Sequence, residues 1–155
     1  MEQFDERKHP RDKGNGQFTK SGQSTNAERK FFPHIRIKEE HPELTDAEID
    51  DILEGVPKEA FAFNKERENT KHHQRHITEM GFKSKKEYQE AGLRFWNIES
   101  GKICYDKRRN RYCKYNAEKG FFLSISRDGI VYTFFELDSN QLKTYEKQGE
   151  YIWLN

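Results

Sequence analysis

The chain predicts an α+β fold, with helices first and an antiparallel sheet after them. Up to residue 97, apolar residues recur at helical spacing behind capping signals; from residue 101, short aromatic and β-branched runs alternate with turn residues. Composition adds a constraint. Hydrophobic residues make up 32% of the 155 and mean hydropathy is −1.19, yet aromatics reach 14% and twelve of them are Phe. A core can form if it is concentrated in part of the chain, leaving the rest solvated. The expected architecture is N-terminal helices packed on a four-stranded β-meander, with a short C-terminal helix.

Taken in order, residues 1–28 are rich in Gly, Ser, Asn and charge, with Phe4 and Phe18 the large apolar side chains besides Met1. Such a segment buries too little area to offset its ordering entropy, so it is expected to be a flexible tail. A single α+β domain is expected over 29–155, with its core in 66–137. "TDAEIDDILE" (45–54) predicts a short helix: Thr45 caps it, Glu48 completes a capping box, and Gly55-Val56-Pro57 ends it. "KEAFAF" (58–63) is expected to add a further turn. Residues 66–80 predict a helix closed by Gly81. "SKKEYQEAGLRFWN" (84–97) predicts a firmer one, opened by Ser84 and Glu87, with Tyr88, Ala91, Leu93 and Phe95 inward. Strands are expected at 102–106, 111–117, 121–126 and 130–137, each joined to the next by a hairpin-length loop. A helix over 140–148 and the apolar end "YIWL" follow.

The net charge of +1 hides an uneven distribution: +2 over residues 1–30, −6 over 31–64, +7 over 65–119 and −2 over 120–155. The cationic block points to a polyanionic partner. The acidic block suits either a mask for that face or a docking segment for an inhibitor, and the sequence does not choose. No run is long or apolar enough for a membrane span, and "MEQFDERKHP" has no apolar leader core, which predicts a cytoplasmic protein with no membrane partner. Two cysteines are too few for a disulfide scaffold and lack zinc-site spacing. If 107–110 is a four-residue loop, Cys104 lies across from Cys113 and Tyr105 across from Tyr112. The thiols then form a cross-strand disulfide in an oxidising compartment, or pack as two small free thiols in the cytoplasm; packing is the expectation.

The histidines concentrate in "KHHQRH" (71–76), three of six within five residues, beside Lys71 and Arg75. On a helix His72 and His76, and His73 and His76, share a face. That spacing can hold zinc, but no Glu takes the HExxH place, no cysteine is near, and two cations flank the cluster, so no metal is expected. A bland solvated face, phosphate binding and acid/base work remain. Histidine titrates near neutrality, and adjacent cations hold down its protonated fraction. "KRRNRYCKY" (107–115) sets Lys107, Arg108, Arg109, Arg111 and Lys114 among tyrosines, which suits either single-stranded RNA or a solubilising hairpin tip. Thr133, alternating with Val131 and Phe135, is a hydroxyl on an apolar strand face that needs a partner; a cross-strand hydrogen bond is the plain reading.

"RHITEMGFKSKKEYQEA" (75–91) resembles the [Lys/Arg]-His-x-x-[Glu/Asp]-[Phe/Met]-Gly segment of colicin-D-like tRNA anticodon nucleases. It is similar as well to C-terminal toxin domains of contact-dependent inhibition systems and to phage-encoded relatives, all in the barnase–EndoU–colicin–RelE superfamily. "DGIVYTFFE" (128–136) resembles that superfamily's last core strand, where a Ser or Thr precedes an aromatic by two residues. The resemblance implies a metal-independent, toxin-like endoribonuclease with no cofactor, acting on RNA, tRNA in the closest families, and met by an immunity or inhibitor protein. It implies His76 as general base or acid, Arg75 as phosphate-binding cation, Thr133 on the scissile phosphate and Phe135 at the aromatic position. His73 stands where the family has a second lysine, a place that Lys71 or His72 can fill. His73 or His72 would supply the second acid, Tyr132 would approach from the sheet, and Arg111 would add a cation. Attack by the 2′-hydroxyl would leave a 2′,3′-cyclic phosphate. Separately, "HPRDKGNGQFTKSG" (9–22) resembles a segment of phage minor head proteins, which implies a phage- or prophage-derived module. The competing expectation is a non-catalytic accessory domain that binds nucleic acid or protein through the same basic face.

Overall fold

The computed structural model of this chain describes residues 33–68 and 70–155. The tail expected over 1–28 and the phage-like segment 9–22 lie outside the described residues. The described residues fall into two units that part between Ile49 and Asp50. In the first, helix α1 (Pro33–Glu40) buries Ile37, and the Lys38 ammonium donates to the Leu44 carbonyl at 2.5 Å. Helix α2 (Asp46–Glu54) starts behind the expected capping box, Glu48 N–H donating to the Thr45 hydroxyl at 3.1 Å and Thr45 N–H to Glu48 Oε1 at 2.7 Å. The boundary between the units falls within α2.

The α+β class holds, but the sheet of the second unit has six strands rather than four. The four expected strands are β2 (Lys102–Asp106), β3 (Arg111–Asn116), β4 (Phe121–Ile125) and β5 (Ile130–Glu136), joined as an antiparallel meander. Two short strands flank them. At one edge β1 (Ala62–Phe63) runs parallel to β5, where a helical turn was expected over 58–63. At the other, β6 (Tyr151–Trp153), from the apolar end, pairs antiparallel with β2. Strands this short form because a neighbour already offers its open edge; two residues have no periodicity to announce them.

Cys104 pairs with Cys113 and Tyr105 with Tyr112, as the loop length requires, and both thiols are free and buried. Side chains directly across a ladder share a face. One face therefore carries Cys104, Cys113, Ser124 and Thr133, with Tyr115, Phe122 and Phe135 beside them. Helix α6 (Ser139–Gly149) covers part of that face, its Leu142 and Tyr145 packing on the cluster.

Helix α5 (Lys85–Asn97) packs on the opposite face through Tyr88, Gly92, Phe95 and Trp96; the sequence pattern had put Ala91 and Leu93 among its inward residues. The Tyr88 hydroxyl donates to the Phe134 carbonyl at 2.5 Å. Gly92 is required here, because a Cβ would stand 2.5 Å from the Phe63 ring. Lys114, 5% exposed, donates to the carbonyls of Phe95 at 2.8 Å, Trp96 at 3.1 Å and Glu99. Its ammonium thereby satisfies the C-terminal carbonyls of α5 and complements the helix dipole.

The single helix expected over 66–80 is two, α3 (Lys65–Glu68) and α4 (Lys71–Glu79). Thr70 breaks it by taking an extended conformation, φ −80° and ψ 154°, and capping α4: its hydroxyl accepts from His73 N–H at 3.1 Å. Gly81 ends α4 at φ 81°, with Gly81 N–H donating to Thr78 O and Phe82 N–H to Ile77 O, a Schellman closure. Helix α4 packs against β5.

Candidate functional site

A cleft of about 370 Å³ opens where α4 meets β5, lined by Arg67, Thr70, His72, His73, His76, Tyr88, Tyr132 and Thr133. Two consecutive strand residues normally point to opposite faces. Here both Tyr132 and Thr133 reach one cleft because the ladder slips between Ser124 and Ile125: Ser124 pairs with Thr133 but Ile125 pairs with Val131, leaving Tyr132 as the extra residue of a β-bulge. No periodicity in "IVYTFFE" announces this.

The histidines are not equivalent. His72 is exposed, while His73 and His76 are 5% and 7% exposed. His73 packs edge-on against Tyr88 at 5.0 Å and Phe63 at 5.8 Å, and its Nε2 is buried with no hydrogen-bond partner. His76 stacks on Phe135, ring centroids 4.7 Å apart and planes 13° off parallel. Burial lowers the pKa of both rings below the ordinary 6.5, since a desolvated imidazolium is disfavoured. For His76 the His72 ring adds to this and Glu79 opposes it; the Arg75 charge is the smallest contributor. The sequence had credited the flanking cations, but burial leads.

Hydrogen bonds link the cluster along one side of α4. The Arg75 guanidinium lies 2.6 Å from His72 Nδ1, and His72 Nε2 lies 3.0 Å from His76 Nε2. A guanidinium can only donate. A neutral His72 therefore accepts at Nδ1 and carries its proton on Nε2, which donates to His76 Nε2. His76 then holds its own proton on Nδ1, which has no hydrogen-bond partner and lies 3.6 Å from a Glu79 carboxylate oxygen. The lone pair of His76 Nε2 is thus the proton acceptor of the network. Arg75 orients His72 and is not among the residues lining the cleft.

Thr133 makes the expected cross-strand bond, its hydroxyl 2.6 Å from that of Ser124, and it borders the cleft as well. The Arg111 guanidinium stacks 3.7 Å from the Tyr132 ring centroid, and Arg67 approaches the same ring at 5.5 Å. Arg67 escaped notice in the sequence because it reads as one more cation in the first turn of the helix expected over 66–80. In the rest of the basic hairpin Arg108 pairs with Glu150 at 2.6 Å, Arg109 with Asp106 at 3.0 Å, Lys114 lies inside and Lys107 is exposed. Tyr105, Tyr112 and Tyr115 are buried, so none of them offers a stacking surface. Lys71 is exposed at the first position of α4 and does not line the cleft.

Among the described residues, no group of three His, Cys, Asp or Glu could hold a metal ion, and no helix is long and apolar enough to cross a membrane. Comparison with protein families, curated proteins and solved structures finds no match.

Proposed function

We propose that the cleft is the active site of a metal-independent endoribonuclease, toxin-like in its chemistry. The observation that carries this reading is the buried His76 imidazole, its Nε2 3.0 Å from His72 Nε2, in one cleft region with the Thr133 hydroxyl and the Arg111-backed Tyr132. RNA supplies its own nucleophile. In this reading the 2′-hydroxyl replaces His72 as the donor to His76 Nε2 and gives up its proton there as its oxygen attacks phosphorus. Thr133 donates to a non-bridging oxygen of the scissile phosphate. The bond to the leaving 5′-oxygen breaks, and that oxygen takes a proton from an imidazolium, which is left neutral. His72, protonated on both nitrogens and released from the Arg75 contact, suits this acid role better than His73, whose Nε2 is buried among rings. Arg75 holds the neutral His72 by its Nδ1, and Phe135 fixes the plane of His76. The products are a 2′,3′-cyclic phosphate and a 5′-hydroxyl. The substrate is RNA, with tRNA and an inhibitory partner protein as the narrower forms of the proposal.

Purified protein incubated with total RNA in EDTA tests it. Discrete fragments ending in cyclic phosphate, absent with folded His76→Ala, are expected. Cleavage that survives His76→Ala overturns the assignment, and loss of cleavage in EDTA, restored by zinc, replaces it with metal chemistry. Intact RNA in both lanes favours a nucleic-acid-binding module, a reading supported by Arg67 and Arg111 beside an aromatic ring.

A further inference from the structure

Arg67 and Arg111 both bear on the Tyr132 ring, and among the described residues neither pairs with a carboxylate, unlike Arg108, Arg109 and Arg127 nearby in sequence. Asp106, directly across the ladder from Arg111, gives its carboxylate to Arg109, which it meets through both backbone N–H and guanidinium. Two like charges held at one half-buried ring repel each other, and burial together with the Arg67 charge disfavours the Arg111 cation. An anion within reach of both relieves this.

The surroundings favour an anion too. The first turn of α4 contributes Thr70, His72 and His73 to the cleft, so the positive end of a nine-residue helix faces it. His73 lines the same turn of the cleft, with its Nε2 buried. Arg67 is tied into this turn, its carbonyl accepting from the Thr70 hydroxyl at 2.9 Å.

Position offsets this place from the reacting centre. His76 stacks on Phe135, three residues beyond Tyr132 on the same strand, and Thr133 lies between them.

We propose that Arg67, Arg111 and Tyr132 form a second anion subsite, which holds the RNA phosphate adjoining the one cleaved. The two guanidiniums grip its oxygens, bidentate where geometry permits, while the Tyr132 ring keeps Arg111 in place. The subsite rests on the reading of the cleft as an RNA site, and it requires a substrate at least one phosphate longer than the bond being cut.

The test uses the full chain and 2′-O-methyl dinucleotides, which lack the nucleophile and so report binding alone. One probe has only its internucleotide phosphate; two others carry an added phosphate at the 5′ or the 3′ end. The wild-type chain is expected to bind one of the phosphorylated probes about tenfold more tightly, with a salt dependence steeper by about one. Arg67→Ala is expected to lose that gain yet bind the unphosphorylated probe as the wild type does, and Arg111→Ala is expected to lose it too, with a weaker hold on both kinds of probe. Arg67→Lys keeps the charge without the fork and is expected to retain part of it; near-ultraviolet circular dichroism checks the fold of each. No gain in the wild-type chain, a gain that survives both alanine variants, or no binding of any probe overturns the subsite. A terminal-phosphate gain in a chain that leaves RNA intact sinks the ribonuclease reading and leaves the subsite standing.

Discussion

Helices α4 and α5 are neighbours in sequence, each is opened by a hydroxyl N-cap, and each packs on β5, yet they bury different chemistry. Helix α5 turns Tyr88, Phe95 and Trp96 inward; α4 turns His73, His76 and Ile77. The same division runs through β3, where Lys114 is sealed under the end of α5 while Arg111 reaches the cleft ring. One helix holds the sheet through apolar area and a buried ammonium. Its neighbour places titratable rings where apolar ones would be more stabilising. A fold that gives up stability at one helix and not at the next points to chemistry at the first.

The largest separation between the two helices should come from truncating one buried ring on each. His76→Ala is expected to lower RNA cleavage by roughly 10²–10⁴-fold, measured as initial rates in EDTA, with the cooperative unfolding transition kept. Phe95→Ala is expected to cost about 3–5 kcal/mol of stability by urea unfolding, with per-molecule activity kept in whatever fraction stays folded. Next comes Lys114→Met. It removes the donor for two carbonyls of the last turn of α5 and for that of Glu99 just beyond it, and is expected to cost about 2–4 kcal/mol, again without changing the site. If Lys114→Met abolishes cleavage while stability is unchanged, the division between the helices is wrong.

Acidity sharpens the contrast further. His73 and His76 have folded pKa values below the 6.5 of the unfolded chain. Stability from their neutral burial is therefore full above pH 6.5 and lost as the pH falls through the lower folded values, where the unfolded chain binds protons that the folded chain resists. Urea midpoints measured across that window should fall with acid, and His73→Phe should flatten the slope. The acid limb of kcat/KM should have its midpoint below 6.5, because His76 acts as a base only when neutral. The smallest effect is expected from Thr133→Val, about 1–2 kcal/mol of stability from the orphaned Ser124 hydroxyl and roughly tenfold in cleavage.

Much of the frame was legible in the sequence. Hairpin loop lengths fixed the meander register, so Cys104 meets Cys113, because a slip of one residue would turn every side chain to the wrong face. The capping residues Thr45, Ser84 and Gly81 marked helix ends, although the Glu87 carboxylate accepts from Lys83 N–H rather than from Ser84. What escaped depends on tertiary context. Strands β1 and β6 take their shape from an edge already present, α1 has one buried residue to its credit, and Thr70 breaks a pattern that reads as continuous helix. Within the site, His76, Thr133 and Tyr132 were visible as residue types. Arg67 was not, and Lys114 read as a surface cation, because a sequence does not say which charges are already satisfied.

The bulge at Tyr132 has a consequence for how such a chain can change by inheritance. Loss of that one codon would let Val131 and Thr133 follow each other as a regular strand, opposite Ile125 and Ser124 as they are now. The sheet and its packed layers would keep their phase, while the ring that anchors Arg111 would be gone. Under the proposed function, a single in-frame deletion is thus a short route from a chain that grips its ligand to an inert copy of the same scaffold, and length at this point of β5 is the marker that separates the two.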